Sequence, residues 1–273
     1  MAIIINPAFG SRKSDALAGV IEVRGILGAA VAELGTRIVG GAWAPGEAIP
    51  KEADLCDDMG VSRSVIREAF RIIGAKGLIR SRTSDGTRVL PRSEWRLLDP
   101  DVMDWRIKAG DTVSLLHDLL RVRLVLEPGV VHTATTIASD EARARIRRAW
   151  EIKEHVYRTP DPDYAERRRR FISADLEFHR AFLAAVDSDL LSQLFAVIEA
   201  ALGLLLDLQM SARGYTTQMI GMEESQELHA AVFAEFERGD AEAAQAAMRR
   251  LIERAIRDAH DGFEQQAPLK HLT

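Results

Sequence analysis

From Trp95 to the C-terminus the sequence offers no strand signal, only long stretches with apolar residues at helical spacing. They cover roughly 112–138, 140–157, 163–186, 189–211, 222–238 and 240–261, separated by the short polar breaks "SD", "TPDPD", "DSD", "RGYTT" and "RGD". A shorter helix precedes them in "LLDPDVMDWRIKAG", with Pro100 near its start and Gly110 at its end. Amphipathic helices joined by short connections must bury their stripes against one another. The last two thirds of the chain is therefore expected to be an all-α bundle of six or seven helices. There is no fixed-period repeat and no low-complexity tract.

The first third follows other rules. Residues 24–39 carry helical spacing and stop at Gly40-Gly41, and the prolines of "WAPGEAIP" deny the next segment a helix. "KEADLCDDMG" reads as a short helix with Leu55 and Met59 on one face, ended by Gly60. Ser62 stands at an N-cap position, and "RSVIREAFRIIGAKG" runs as a helix to Gly77. "LIRSRT", the turn "SDG" and "TRVL" read as a two-stranded hairpin closed by Pro91. Three helices and a hairpin make a winged helix-turn-helix. The expected organisation is a winged helix-turn-helix over 21–92, a linker with a short helix over 93–111, and an all-helical domain over 112–262. Residues 1–20 and the tail after Gly262 read as poorly structured and receive no role.

Charge divides along the same line. Residues 1–92 hold 13 Lys/Arg against 10 Asp/Glu, whereas the remainder holds 23 against 31. Between Gly60 and Arg92 eight basic residues face only Glu68 and Asp85. A basic module joined to an acidic one suits a polyanion partner for the first and a separate task for the second. In the helix from Arg63, Ile66, Phe70 and Ile73 form one apolar stripe, while Arg63, Arg67 and Arg71 share another face. Ser62 and Ser64 lie at its N-terminal end, where a recognition helix meets base edges in the major groove of double-stranded DNA. Arg80, Arg82 and Arg88 decorate the wing, and Gly86 lets its tip approach the backbone. The bland alternative is a solvated basic helix in a structural domain. The "ERRRR" at 166–170 is read as a solvated helix face.

The lone cysteine, Cys56, excludes an internal disulfide and fits a reducing cytosol. "MAIIINPAFG" lacks the basic segment and the length of a signal peptide. Glu199 and Asp207 interrupt the longest apolar run, which is expected to fall short of the roughly 20 residues that cross a bilayer. The expectation is a cytoplasmic protein with no membrane partner. In the helical domain, Asp175 and His179 at i, i+4 share a face where a carboxylate and an imidazole can hold one divalent cation, with His229 on a later helix closing the set. For an isolated D-x-x-x-H a surface hydrogen-bonded pair is the better explanation.

The stretch "GAWAPGEAIPKEADLCDDMGVSRSVIREAFRIIGAKGLIRSRTSDGTRVL" resembles the DNA-binding domain of the GntR family of bacterial transcription regulators. The shared pattern is G-x-x-x-P-G-x-x-L-P, an acidic helix, V-S-R-x-x-V-R-E-A-x-x-x-L-x-x-x-G-L-I and a wing with Gly before a strand. Ala53 departs from it where many members carry arginine, so their operator sequences do not transfer. The helical part resembles the FCD effector domain of the FadR-like subfamily through "LLRVRLVLEPGVV", "ADLEFHRAFLAAVDSDLL" and "ELHAAVFAEFERGDAEAAQAAMRRLI". The connector "WRLLDPDVMDWRI" is similar to that of members answering to sugar acids such as galactonate.

The resemblance implies a homodimeric repressor that binds a palindromic operator and is released by an acid metabolite of a sugar-acid or carboxylic-acid catabolic operon. Arg123, whose fork matches a carboxylate in two bonds, is expected to pair with the acidic effector, against the simpler alternative of an Arg123–Glu127 helix pair. The resemblance makes Asp175, His179 and His229 metal ligands, but where members carry a further histidine this chain has Leu251. Two outcomes stay open. Zinc, nickel or manganese is held by three groups with water or an effector carboxylate completing the shell, or the metal is lost and the two histidines bond the effector directly. A metal-dependent hydrolase or isomerase using the same three residues is the alternative of a different class, but HExxH and G-x-S-x-G are both missing. A bundle serving only as a dimerisation device is the third.

Overall fold

The computed structural model describes residues 25–82, 84–212 and 222–264. The expectations for residues 1–20 and for the tail beyond Glu264 lie outside them, whereas Phe263 and Glu264, expected to be poorly structured, continue the last helix. Among the described residues the fold is mainly α with one small hairpin, and its contacts divide the chain after Leu115 into two compact units.

In the first unit, helix α1 (Gly25–Val39) buries Ala30, Val31, Leu34 and Ile38 on one side. Helix α2 (Glu52–Met59) stops at Gly60, whose φ of 65° is the left-handed value that closes a helix. Helix α3 (Arg63–Ala75) buries Ile66, Ala69, Phe70 and Ile73, which includes the stripe expected from spacing. Ser62 occupies the N-cap position but makes no side-chain cap bond; its hydroxyl meets that of Ser64 at 2.9 Å instead. Strands β1 (Ile79–Arg82) and β2 (Gly86–Val89) pair antiparallel with Ile79 opposite Val89 and Arg80 opposite Arg88. The proline-rich connector is not a free turn: Ala48 bridges to Arg88, and Ile49 N–H donates to the Thr87 carbonyl at 2.8 Å.

Helix α4 (Pro100–Lys108) lies inside the stretch read from sequence as a linker, and it packs on α1. Asp99 caps it by accepting from the Asp101 and Val102 N–H groups, with Pro100 in the first turn. Its Val102 and Trp105 join the core of α1 and α3. Trp105 fills the place beside Gly35 that any side chain would need. Lys76, at the end of α3, reaches Asp99 and Asp101 at 2.8 Å and so fastens α3 to the start of α4.

The second unit holds most of α5 (Thr112–Ile137) and all of α6 (Asp140–Arg158), α7 (Tyr164–Ala184), α8 (Asp189–Ala212), α9 (Met222–Arg238) and α10 (Ala241–Glu264). Each helix falls within three residues of its expected bounds. α6 runs along α7, α7 along α8, and α9 along α10. Phe178, Phe182, Trp150, Val232, Phe236, Met248 and Ile252 make the centre of the core. α8 corrects one expectation: its Asp189–Asp207 window, with mean hydropathy 1.8, is long and apolar enough to cross a membrane by length and composition. In this fold it buries Phe195, Ile198, Leu202 and Leu205, and two of its three acids form ion pairs, Glu199 with Arg180 and Asp207 with Arg168. The "ERRRR" run is likewise paired: Arg168 with Asp207, Arg169 with Glu166 and Arg170 with Asp161.

Candidate functional site

Each unit carries one candidate surface. On α3 the apolar stripe faces inward and leaves Ser62, Arg63, Ser64, Arg67 and Arg71 exposed together. Arg67 is held by Glu52 of α2 at 2.8 Å, and Arg71 by both oxygens of Glu68 at 3.0 and 2.9 Å. Hydrogen bonding from Arg71 lowers the Glu68 pKa and raises its own. On the hairpin, Arg80, Arg82 and Gly86 are exposed, while Arg88 is half-buried. Arg88 is occupied structurally: Asp85 takes two of its N–H groups at 2.7 and 2.8 Å, and the Gly46 carbonyl takes a third at 2.9 Å. Gly86, at φ 72°, has open space around it. Sequence spacing anticipated this face but not the carboxylates seated on it.

In the second unit a cavity of about 110 Å³ opens among α5, α7, α8, α9 and α10. At on the order of 10–15 Å³ per water on this measure, it accommodates several waters or a small metabolite and excludes a folded peptide. Arg123 comes from α5, Asp175 and His179 from α7, Ser225 and His229 from α9, and Leu251, Arg254 and Asp258 from α10. Leu120, Phe171, Ile172, Leu206, Met222 and Ile252 supply apolar wall.

Asp175, His179 and His229 do converge. Their ligand atoms lie within 4.8 Å of one another, so this cluster could coordinate a metal ion. His229 Nε2 is 3.0 Å from Asp175 Oδ1 and 3.3 Å from His179 Nε2, while His179 Nε2 is 3.8 Å from Asp175 Oδ2. Bonds of about 2.0–2.1 Å to one central ion require separations of about this size. His229 Nδ1 donates to the Ser225 carbonyl at 2.6 Å, and His179 Nδ1 lies 2.7 Å from Glu127 Oε2, outside hydrogen-bond alignment. Both rings thus direct Nε2 inward, as ligating histidines do. Phe178 holds both edge-on.

Three charged groups around this cluster escaped the sequence reading or were given another part. Lys153 of α6 is wholly buried, 2.7 Å from Asp175 Oδ1, with its Nζ over the Phe171 ring at 4.5 Å. Glu127 is buried between Arg123 and His179. Arg254 lies at the α10 wall, paired with Glu224 at 2.8 Å and with Asp258. Arg123 does line the cavity, but its fork already grips Glu127, at 2.5 Å through Nε and 3.2 Å through Nη2. The helix pair weighed against an effector contact is therefore formed.

Electrostatics follow the pairings. Burial alone would raise the Asp175 pKa, yet the Lys153 charge, then His229 and His179, hold it well below the usual carboxylate range. Burial likewise acts to raise Glu127, but Arg123 and His179 outweigh it and bring it to about 2. His229 goes the other way, to about 4, first through burial and then through the neighbouring Lys153 charge. Glu199 is raised by burial despite Arg180.

The chain matches the family described as bacterial regulatory proteins, gntR family, over residues 28–89, and the FCD domain over residues 118–254. The galactonate operon transcriptional repressor of Escherichia coli K12 is 31% identical over 227 residues, covering 83% of this chain and 93% of that protein. The Uxu operon transcriptional regulator of the same organism is 29% identical over 151 residues, 55% of this chain and 54% of its own length. A solved GntR family member from Pseudomonas syringae pv. tomato DC3000 covers 93% of this chain and 96% of its own at 20% identity, with a TM-score of 0.46, too slight a likeness to bear on function. A basic helix in one unit, a cavity with converging charged side chains in the other and the two family matches over those same residues lead to one conclusion: the chain belongs to the GntR family of bacterial regulatory proteins, with an FCD-type effector domain, and is a DNA-binding, small-molecule-responsive regulator and not an enzyme.

Proposed function

We propose that this regulator is a cytoplasmic repressor of an operon for the breakdown of a sugar acid or related carboxylic acid. It binds a palindromic operator as a homodimer, because two recognition helices must meet half-sites about one turn of DNA apart. An acid metabolite in the FCD cavity weakens that binding. The observation that carries the reading is the cavity itself, small, walled by apolar side chains, with Arg123, Asp175, His179, His229 and Arg254 converging on it. The galactonate operon repressor, with which the chain aligns over most of its length, supports the sugar-acid class.

Ser62, Arg63, Ser64, Arg67 and Arg71 are assigned the groove contacts, and Arg82, Arg88 and Gly86 the wing. Arg67→Ala is expected to weaken operator binding by about 1–3 kcal/mol and to change the preferred base opposite it if the contact is to a base edge. Fluorescence anisotropy with DNA from upstream of the gene, repeated with a panel of sugar acids and carboxylic acids, tests the whole scheme. The expected coupling is about 5- to 150-fold in affinity. An operator affinity that no acid in the panel alters would remove the effector half of the proposal, and no preference over random duplex would remove the operator half.

A further inference from the structure

The donor atoms of Asp175, His179 and His229 are spaced for a cation, but the charges around them do not ask for one from outside. Lys153 has no exposed surface and sits 2.7 Å from Asp175 Oδ1, the same oxygen that faces His229 Nε2. A buried ammonium is costly unless paired, and here its pair is the carboxylate that a metal would need. Arg123 and Glu127 form a second buried pair. Both carboxylates beside the histidines are thus already matched by protein cations. A divalent ion added to this cluster would find no carboxylate left to balance it in a largely buried site.

Among the described residues the protein donors also stop at three. The next position around the cluster is Leu251, buried and lining the cavity, which offers no lone pair at all.

We infer that Lys153 is a built-in cation that takes over the charge-balancing task of a divalent ion, so that this regulator neither holds nor needs a metal at Asp175, His179 and His229. Where the cavity receives its acid, and this part rests on the proposed function, the acid binds equally in the presence of a chelator.

The test uses the full chain purified without chelator. Its zinc, nickel and manganese content is measured by mass spectrometry, zinc is titrated calorimetrically, and thermal unfolding is followed with and without EDTA. The expected results are far less than one metal per chain and an unfolding midpoint that EDTA does not move. One equivalent of tightly bound metal, with a midpoint lowered by EDTA, would overturn the inference. The double variant Lys153→Met/Leu251→His removes the internal cation and adds a ligand, and should bind zinc roughly 10- to 100-fold more tightly than the natural chain. If Lys153→Met unfolds the protein, the natural chain's metal content decides the matter alone. An acid that raises the midpoint only when zinc is present would also overturn the inference. If no acid acts under either condition, the effector reading of the cavity fails, and the metal measurement still judges Lys153.

Discussion

Arginine meets carboxylate in both units, and the two settings have opposite consequences. On α3, Arg71 and Glu68 are 72% and 39% exposed, and Arg67 and Glu52 are 70% and 34% exposed. Beside the cavity, Arg123 and Glu127 are 6% and 4% exposed. Exposed pairs are screened by water and salt and exchange partners readily, so a DNA phosphate can take the place of the carboxylate. A buried pair has no solvent to replace a lost partner, and separating it strands a charge. Under the proposed function, the α3 face is one that its ligand can rearrange, and the cavity floor one that holds still beneath a ligand.

The sharpest way to break this contrast is to remove Glu127. Glu127→Ala leaves the Arg123 fork without its acceptor and should cost the FCD unit about 3–5 kcal/mol, read by urea unfolding. Glu68→Ala on α3 should leave the unfolding midpoint where it is. Equal effects of the two changes would end the distinction.

Acid should separate the settings next. His229 titrates near 4 in the fold against an ordinary 6.5. Above pH 6.5 neither folded nor unfolded chain protonates it, so its neutral state carries no penalty there. As pH falls from 6.5 to about 4, only the unfolded chain takes the proton, and stability drops by about 3 kcal/mol. Glu127, held at about 2 against 4.5, adds a further loss that begins only below about pH 4.5. Stability measured from pH 7.5 to 4 should show this slope in the natural chain and a shallower one in His229→Gln; parallel curves would remove His229 as its source.

The smallest effect belongs to the exposed side. Glu52→Gln releases Arg67 and should raise affinity for any duplex about two- to fivefold at low salt, with no change in unfolding midpoint. A fall in affinity would mean that Glu52 orients Arg67 toward DNA and does not compete with it.

Much of this was legible without coordinates because helical period, caps and breaks are local. α5 to α10 begin and end close to where spacing and polar breaks put them, and the Ile66, Phe70 and Ile73 stripe is buried as expected. The convergence of Asp175 and His179 with His229, 50 residues further on, followed from an i, i+4 pair and a family resemblance together. Lys153 was not legible. In "WEIKEHVYR" it reads as one more solvent-facing lysine among charged neighbours, and only the packing of α6 on α7 buries it against Asp175. Sequence alone offers the Arg123 fork two partners, an outside anion or Glu127. Its partner Glu127 was visible four residues later, but burial, which turns such a pair from marginal to rigid, is not a local property. The same limit explains α4, whose period shows a helix while its attachment to α1 depends on Trp105 finding Gly35.

That glycine reverses a habit of protein engineering. Mid-helix glycines are the usual first targets for thermostabilisation, since alanine in their place gains roughly 0.5–1 kcal/mol in a helix interior. At Gly35 the added methyl would occupy the same space as the indole ring of Trp105. A library scored on helix propensity would rank Gly35→Ala among its best choices, and selection for folded protein would discard it.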